Sequence, residues 1–231
     1  MIQIVCWLWD DPRYRYSHLF RYTANHVNVL ASMVRRNLTM EHEIVCITDM
    51  PEGIDPSIRI VPIWDDLREM GGCYVRLKAF APEMKQLIGD RFVWIDVDCV
   101  IVGRLDSLFN RPEDFVIWSH AGGRLPYCAS MVMMDAGARR QVWDDFDQEA
   151  APAIGDPRRA FGTDQSWICE RLPGEAVWDR KDGVLSRIDV GLTWRRPVPH
   201  GLPRGAKIVF FHGPYDPASM TGPDWVTENW R

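Results

Sequence analysis

The sequence predicts an α/β fold, a three-layer α/β/α arrangement around a mainly parallel central sheet with a smaller additional region. Three observations carry this. The first half alternates strand-like and helix-like segments, which is the pattern of βαβ units. The strand-like segments are nearly continuous apolar runs, as expected for parallel strands covered on both faces. The 231 residues, 46% of them hydrophobic, suffice for one large core, and no repeat, low-complexity tract or linker divides them.

Each element follows from local pattern. Ile2 to Leu8 is a strand, and Tyr22 to Asn37 has a helical stripe in Val27, Leu30, Met33 and Val34. Glu43 to Thr48 is a second strand, ended by Asp49 and the turn Pro51-Glu52-Gly53. Ile58 to Ile63 is a third, and Pro62 places it at an edge or a strand end. One helix is expected from Tyr74 to Ile88, with Leu77, Phe80, Ala81, Met84 and Ile88 on one face. It leads into the apolar run from Phe92 to Val102. Phe115 to Trp118 and Ser130 to Met134 are strands flanking a Gly122-Gly123 turn, and Gln141 to Phe146 and Asp164 to Arg171 are helices. Lys207 to Phe211 is the last strand, ended by His212-Gly213-Pro214.

Composition excludes several classes. A net charge of -5 leaves no broad basic face for nucleic acid, although a narrow phosphate site remains compatible with it. No apolar stretch is long enough to span a bilayer, and no basic leader precedes the first strand, so a soluble, cytoplasmic protein is expected. The six cysteines are scattered and form no C-x-x-C pair, which favours buried free thiols over a zinc cluster.

The chemistry concentrates at Asp96 and Asp98, one residue apart at the end of an apolar run and followed by more apolar residues. Leaving both unpaired inside a core would cost several kcal/mol, roughly. In extended chain, residues i and i+2 point the same way, so both carboxylates are expected to converge on one point. A divalent cation suits two hard carboxylate ligands; two solvated aspartates in a strand-ending turn are the plainer alternative. In open α/β sheets ligands bind beyond the carboxyl ends of strands, where this pair and His212 both lie.

Further along, these residues form an ordered set. Cys73-Tyr74-Val75-Arg76-Leu77, then Trp94-Ile95-Asp96-Val97-Asp98, then Gly103-Arg104-Leu105-Asp106-Ser107-Leu108-Phe109 are followed by Tyr127 to Asp135, Gly162-Thr163-Asp164-Gln165 and Phe211-His212-Gly213. This order resembles glycosyltransferase family 8, over about residues 2 to 217. The resemblance implies a single GT-A domain, with a donor-binding half over about 1–110 and an acceptor and closing half over about 111–231. It implies retaining transfer of a hexose from a nucleotide sugar, UDP-linked, with manganese or magnesium as cofactor. The acceptor, whether a glycan, a lipid, a protein or a small molecule, is left open.

By the same resemblance Asp96, Asp98 and His212 hold the metal, a mixed ligand set that suits manganese. Arg76 would meet donor phosphate or sugar hydroxyls; a surface arginine is the alternative, and Lys78 is expected to turn away into solvent. Asp164 would bind sugar hydroxyls, although it also suits a helix cap. Gln165 would lie beneath the anomeric carbon. Asp49 would meet the base, and the Trp7-Leu8-Trp9-Asp10 end of the first strand would line the same pocket, although aromatics there are more often core.

Two departures stand out. Ala129 and Met131 occupy positions where the family usually has Asn and Gly, and no lysine follows His212 to meet the diphosphate. They motivate a second reading, a degenerate fold that binds a nucleotide sugar without turning it over. A third is a haloacid-dehalogenase phosphatase, because Asp96-Val97-Asp98-Cys99-Val100 fits D-x-D-x-[TV]. That class needs a later acidic pair, and Asp144-Asp145 falls in an expected helix instead.

Overall fold

The computed structural model describes residues 1–11, 22–71, 73–120, 125–154, 163–193, 201–212 and 215–231. Gly122-Gly123, Gly162, Gly213 and Pro214 lie outside the described residues. In chain order the elements are β1 (Ile2–Leu8), α1 (Ala24–Asn37), β2 (His42–Thr48), β3 (Arg59–Pro62), α2 (Asp65–Arg68), a 3-10 helix (Tyr74–Phe80) and α3 (Met84–Leu87). There follow β4 (Arg91–Ile95), β5 (Cys99–Ile101), α4 (Asp106–Phe109), β6 (Phe115–Trp118), β7 (Cys128–Asp135) and α5 (Gln141–Asp144). The last are α6 (Asp164–Arg171), β8 (Val177–Trp178), β9 (Val184–Ser186), β10 (Ile208–Phe210) and α7 (Asp224–Asn229).

Seven strands form the central sheet in the order β3-β2-β1-β4-β7-β6-β8. β3, β2, β1 and β4 are parallel neighbours, and β7 runs antiparallel to both β4 and β6. β5, β10 and β9 make a separate small sheet. All seven residues of β1 are buried, as an interior parallel strand requires. Ile2, Ile4, Cys6 and Leu8 pack on one face with Val27, Leu30 and Val34 of α1, the small sheet and Val226 of α7. Val5 and Trp7 pack on the other with Leu77, Phe80, Met84, Val142 and Trp167. The period-two split of one strand between two cores is the three-layer arrangement expressed in side chains.

Two expectations are corrected. The helix expected over Tyr74 to Ile88 is two pieces. Pro82 pushes the preceding Ala81 out of the helical region, to ψ 139°, and the first piece is a 3-10 helix. The run from Phe92 to Val102 is two strands in two sheets, joined by a bend at Asp96-Val97-Asp98. The two carboxylates are therefore not alternate residues of an extended strand. β8 and β9 escape a pattern reading because they are two and three residues long. The expected edge position of Pro62 holds: it is the last residue of β3, the edge strand. All six cysteines are free thiols, with Cys6, Cys46 and Cys99 buried and the others half-buried.

Candidate active site

The sheet order places the site. From β1 the chain moves outward to β2 and β3, then crosses back to β4 on the other side of β1. The strand order reverses between β1 and β4, and the crevice beyond their carboxyl ends is where open α/β sheets bind ligands. Trp9 and Asp10 follow β1 there, and Asp96 follows β4.

The bend after β4 is pinned on both sides by backbone. Asp96 N donates to the Ser130 carbonyl of β7 at 2.9 Å, and Phe211 N donates to the Asp98 carbonyl at 2.8 Å. The second bond brings the end of β10, and so His212, beside the carboxylate bend. β7 reaches this point irregularly: its register with β6 jumps from Ile117↔Val132 to Trp118↔Cys128. The jump shifts the phase, so Ala129 and Met131 are both buried while Cys128 and Ser130 are half-buried, with Sγ and Oγ 3.4 Å apart. The Ala129 carbonyl accepts from Trp94 Nε1 at 2.6 Å.

Arg76 is the hub. It is 6% exposed, which replaces the surface alternative with a buried ion cluster. Its Nε donates to Asp164 Oδ2 at 2.8 Å, Nη2 lies 2.6 Å from the same oxygen, and Nη1 pairs with Asp96 Oδ1. The guanidinium also sits 5.8 Å from the Trp94 ring centroid. In the 3-10 helix Lys78 falls on another side, but it is not merely solvated: its ammonium lies 5.5 Å and 5.7 Å from the rings of Trp64 and Trp143. Asp164 opens α6 without capping it. The cap is Thr163, whose side chain accepts from Ser166 N, while Asp164, 2% exposed, points inward to Arg76. Gln165 is half-buried beside it, and its backbone N donates to Asp164 Oδ1 at 2.7 Å.

Asp98 is buried and accepts from the Tyr22 hydroxyl at 2.8 Å. Tyr22 is held in turn against His26, which is 3.2 Å from Asp216. His212 is exposed, and its Nε2 is 2.9 Å from Ser186 Oγ. Among the described residues no group of three His, Cys, Asp or Glu side chains stands ready around one point, so His212 is near the bend but not assembled with the two aspartates. Asp49 bridges β1 and α2, accepting from Asp10 N at 3.1 Å and pairing with Arg68 at 3.0 Å. Trp7, expected to line a base pocket, is instead 4% exposed and packs edge-on against Trp64 and Trp94. Stacking a base needs an open ring face, and the half-exposed indole at this strand end is Trp9. Asp144 pairs with Arg140 on α5, away from the bend.

Sequence reading missed Tyr22, Ser130, Ser186 and Arg187. Each reaches the site from a remote segment, as the 76 residues between Tyr22 and Asp98 illustrate, and carries no local pattern.

The electrostatics are those of a negative pocket. Burial, then the Asp96 charge, pushes Asp98 up to about 8, against the Tyr22 hydrogen bond. Burial pushes Asp164 up to about 6, against the Arg76 charge. Burial works to discharge Arg76, but Asp164 and Asp96 outweigh it and hold the guanidinium well above its ordinary value. Three carboxyls thus meet one guanidinium. The donor chemistry of Asp96 and Asp98 fits a hard divalent cation, which would keep both ionised.

A pH dependence follows. Both raised carboxyls bind protons more tightly folded than unfolded, so the folded chain carries the excess protons from about pH 4 to about pH 8. Their contribution makes stability fall as pH rises through that window, most above about pH 5, where the carboxylates with lowered values have already ionised. Thermal melting in chelator from pH 5 to 8 should show this fall, and Asp98→Asn should flatten it. A wild-type stability that rises over the same range contradicts the assigned burial.

No protein-family model matches the sequence, and no curated protein matches it. Solved structures do. The galactosyltransferase LgtC, in complex with donor and acceptor sugar analogues, is 14% identical, with a TM-score of 0.60 over 98% of this chain and 94% of that one. An active-site glutamine-to-glutamate mutant of LgtC superposes equally well. The glycosyltransferase GlyE of Streptococcus pneumoniae is 12% identical, with a TM-score of 0.62 over 100% of this chain and 62% of that one. The seven-stranded, mainly parallel sheet with its smaller companion is the GT-A fold of these glycosyltransferases.

Proposed function

We propose that this chain is a metal-dependent glycosyltransferase that moves a hexose from a UDP-sugar to an acceptor with retention of configuration. One observation carries the reading: at the switch point of a glycosyltransferase fold, a carboxylate bend is tied through Arg76 to the start of α6 and through Phe211 to the end of β10. Asp96 and Asp98, with His212 turned from Ser186, would hold manganese or magnesium. The ion would supply positive charge against the leaving diphosphate. Arg76 fixes Asp96 and Asp164 relative to each other, which sets the metal turn and the sugar side of the pocket in one frame. Asp164 has its Oδ1 toward the α6 backbone and its Oδ2 on Arg76, so it is held rigidly and would meet sugar hydroxyls only through the lone pairs those bonds leave.

Gln165 would place its amide carbonyl beneath the anomeric carbon, where positive charge grows as the glycosidic bond breaks. An amide is a poor nucleophile, so its contribution is electrostatic. Gln165→Ala should lower turnover about 10–100-fold, roughly 1.4–2.7 kcal/mol of transition-state stabilisation, with donor affinity nearly unchanged. Steady-state kinetics separates the two constants, and an equal loss in both would make Gln165 a binding residue. That LgtC has been studied as an active-site glutamine mutant is in keeping with this role.

The second reading, donor binding without turnover, is favoured by Ala129. Its carbonyl is taken by Trp94 and its side chain is 1% exposed, so it offers no amide to a sugar. Proton NMR of an α-linked UDP-sugar incubated with protein and manganese tests both. Donor consumption with an α-configured product supports retaining transfer, binding without consumption supports the second reading, and a β-configured product overturns retention.

A further inference from the structure

Among the described residues two guanidinium groups are buried, those of Arg76 and Arg187. Arg76 is matched by two carboxylates. Arg187 is 4% exposed, and among the described residues no carboxylate pairs with it. Its Nε donates to the His212 carbonyl at 2.9 Å, its Nη1 donates to the Leu192 carbonyl, and its plane lies 4.2 Å from the Tyr215 ring centroid. Those contacts orient the group without cancelling its charge. Nη2 donates to none of the described residues. A guanidinium cannot shed its proton, so a buried one without a counter-ion is costly unless an anion arrives.

Its position is set by strand register. Phe210 pairs with Cys99 on one side and with Ser186 on the other, so Asp98, Phe211 and Arg187 are the next residues at one end of the small sheet. Arg187 N donates to the Phe210 carbonyl at 2.8 Å, which fixes that row. The metal-side carboxylate and an uncompensated cation therefore stand two strands apart, with Phe211 between them. Other described cations have carboxylate partners: Arg76 pairs with Asp96 and Asp164, Arg68 with Asp49 and Arg180 with Asp189, while Lys207 precedes β10 at its opposite end.

We propose that Arg187 is a binding residue for the diphosphate of the nucleotide, its free Nη2 edge facing the anion while Asp96 and Asp98 face it through the cation. This rests on the nucleotide-sugar reading and extends it to a residue outside the ordered set of motifs. Held at two carbonyls and stacked on Tyr215, the guanidinium is oriented in advance and loses little side-chain freedom on binding. A planar fork also suits two phosphate oxygens better than an ammonium would.

Calorimetric titration of inorganic pyrophosphate with magnesium, on wild type, Arg187→Gln and Arg187→Lys, tests it. The expected result is binding by wild type, an affinity lowered about 10–100-fold in Arg187→Gln, and only a minor part of the loss restored in Arg187→Lys, which keeps the charge but not the fork. Equal affinity in wild type and Arg187→Gln, or no pyrophosphate binding by wild type, overturns the proposal. Because the substitutions also remove carbonyl contacts, a second readout uses the unaltered protein. The Arg187 Nε–H resonance should shift on addition of pyrophosphate, and an unmoved resonance at saturation overturns the proposal as well. UDP titrated alongside separates the two levels. Pyrophosphate binding through Arg187 without any UDP binding refutes the nucleotide-sugar reading alone, whereas UDP binding untouched by Arg187→Gln refutes Arg187 alone.

Discussion

Arg76→Met should destabilise the fold by about 3–5 kcal/mol, the largest single-residue effect at the site. Methionine keeps most of the volume and the apolar stem, so the loss is not a cavity. It comes from leaving Asp164, 2% exposed, and Asp96 without their shared guanidinium. Removing one partner of a buried ion cluster costs more than the cluster is worth intact, because the remaining charge stays desolvated. Urea unfolding measures it. The double variant Arg76→Met with Asp164→Asn should recover part of the loss, since the deepest stranded charge is gone. A cost below about 1 kcal/mol would mean that the carboxylates reach water when Arg76 is removed.

Asp98→Asn should have the opposite signature: nearly intact folding with crippled metal binding. The amide oxygen can still accept from Tyr22, and neutrality removes the repulsion from Asp96 that helps push Asp98 up to about 8. The metal-free protein should hold or gain stability. Replacing a group that only orients a metal ligand lowers metal affinity about 10–100-fold, so loss of a direct carboxylate ligand should cost about 100-fold or more. Calorimetry with manganese, paired with melting in chelator, separates the two effects. A large drop in the metal-free melting temperature would make Asp98 a structural acceptor for Tyr22.

Strong local patterns were legible in the sequence and short or composite ones were not. The apolar run of β1, the stripe of α1 and the α6 span beginning at Asp164 each carry enough residues for period to decide. The strand that ends before Asp96 is legible, but the turn of the chain into a second sheet through Asp96 and Asp98 is not, because it is made by pairing with Ser130 and Phe211, remote in sequence. Pro82 was a visible break in the helix expected over Tyr74 to Ile88, and the apolar face on both sides masked it. At the site, Arg76, Asp96 and Asp164 are legible as a set, but their direct ion pairing is not, because the order of motifs carries no distances. Arg187 is invisible to motif reading. Its meaning lies in burial without a carboxylate partner among the described residues, which only packing reveals.

On the proposed function the carboxylate bend takes a divalent cation, and the cation brings the nucleotide diphosphate to the site. Calorimetric titration of UDP with manganese and again in chelator tests it most directly. Without a cation the two carboxylates paired to Arg76, those of Asp96 and Asp164, outnumber its single charge even with Asp98 protonated, so UDP should bind only when manganese is present. Equal UDP affinity in the two titrations would contradict the account.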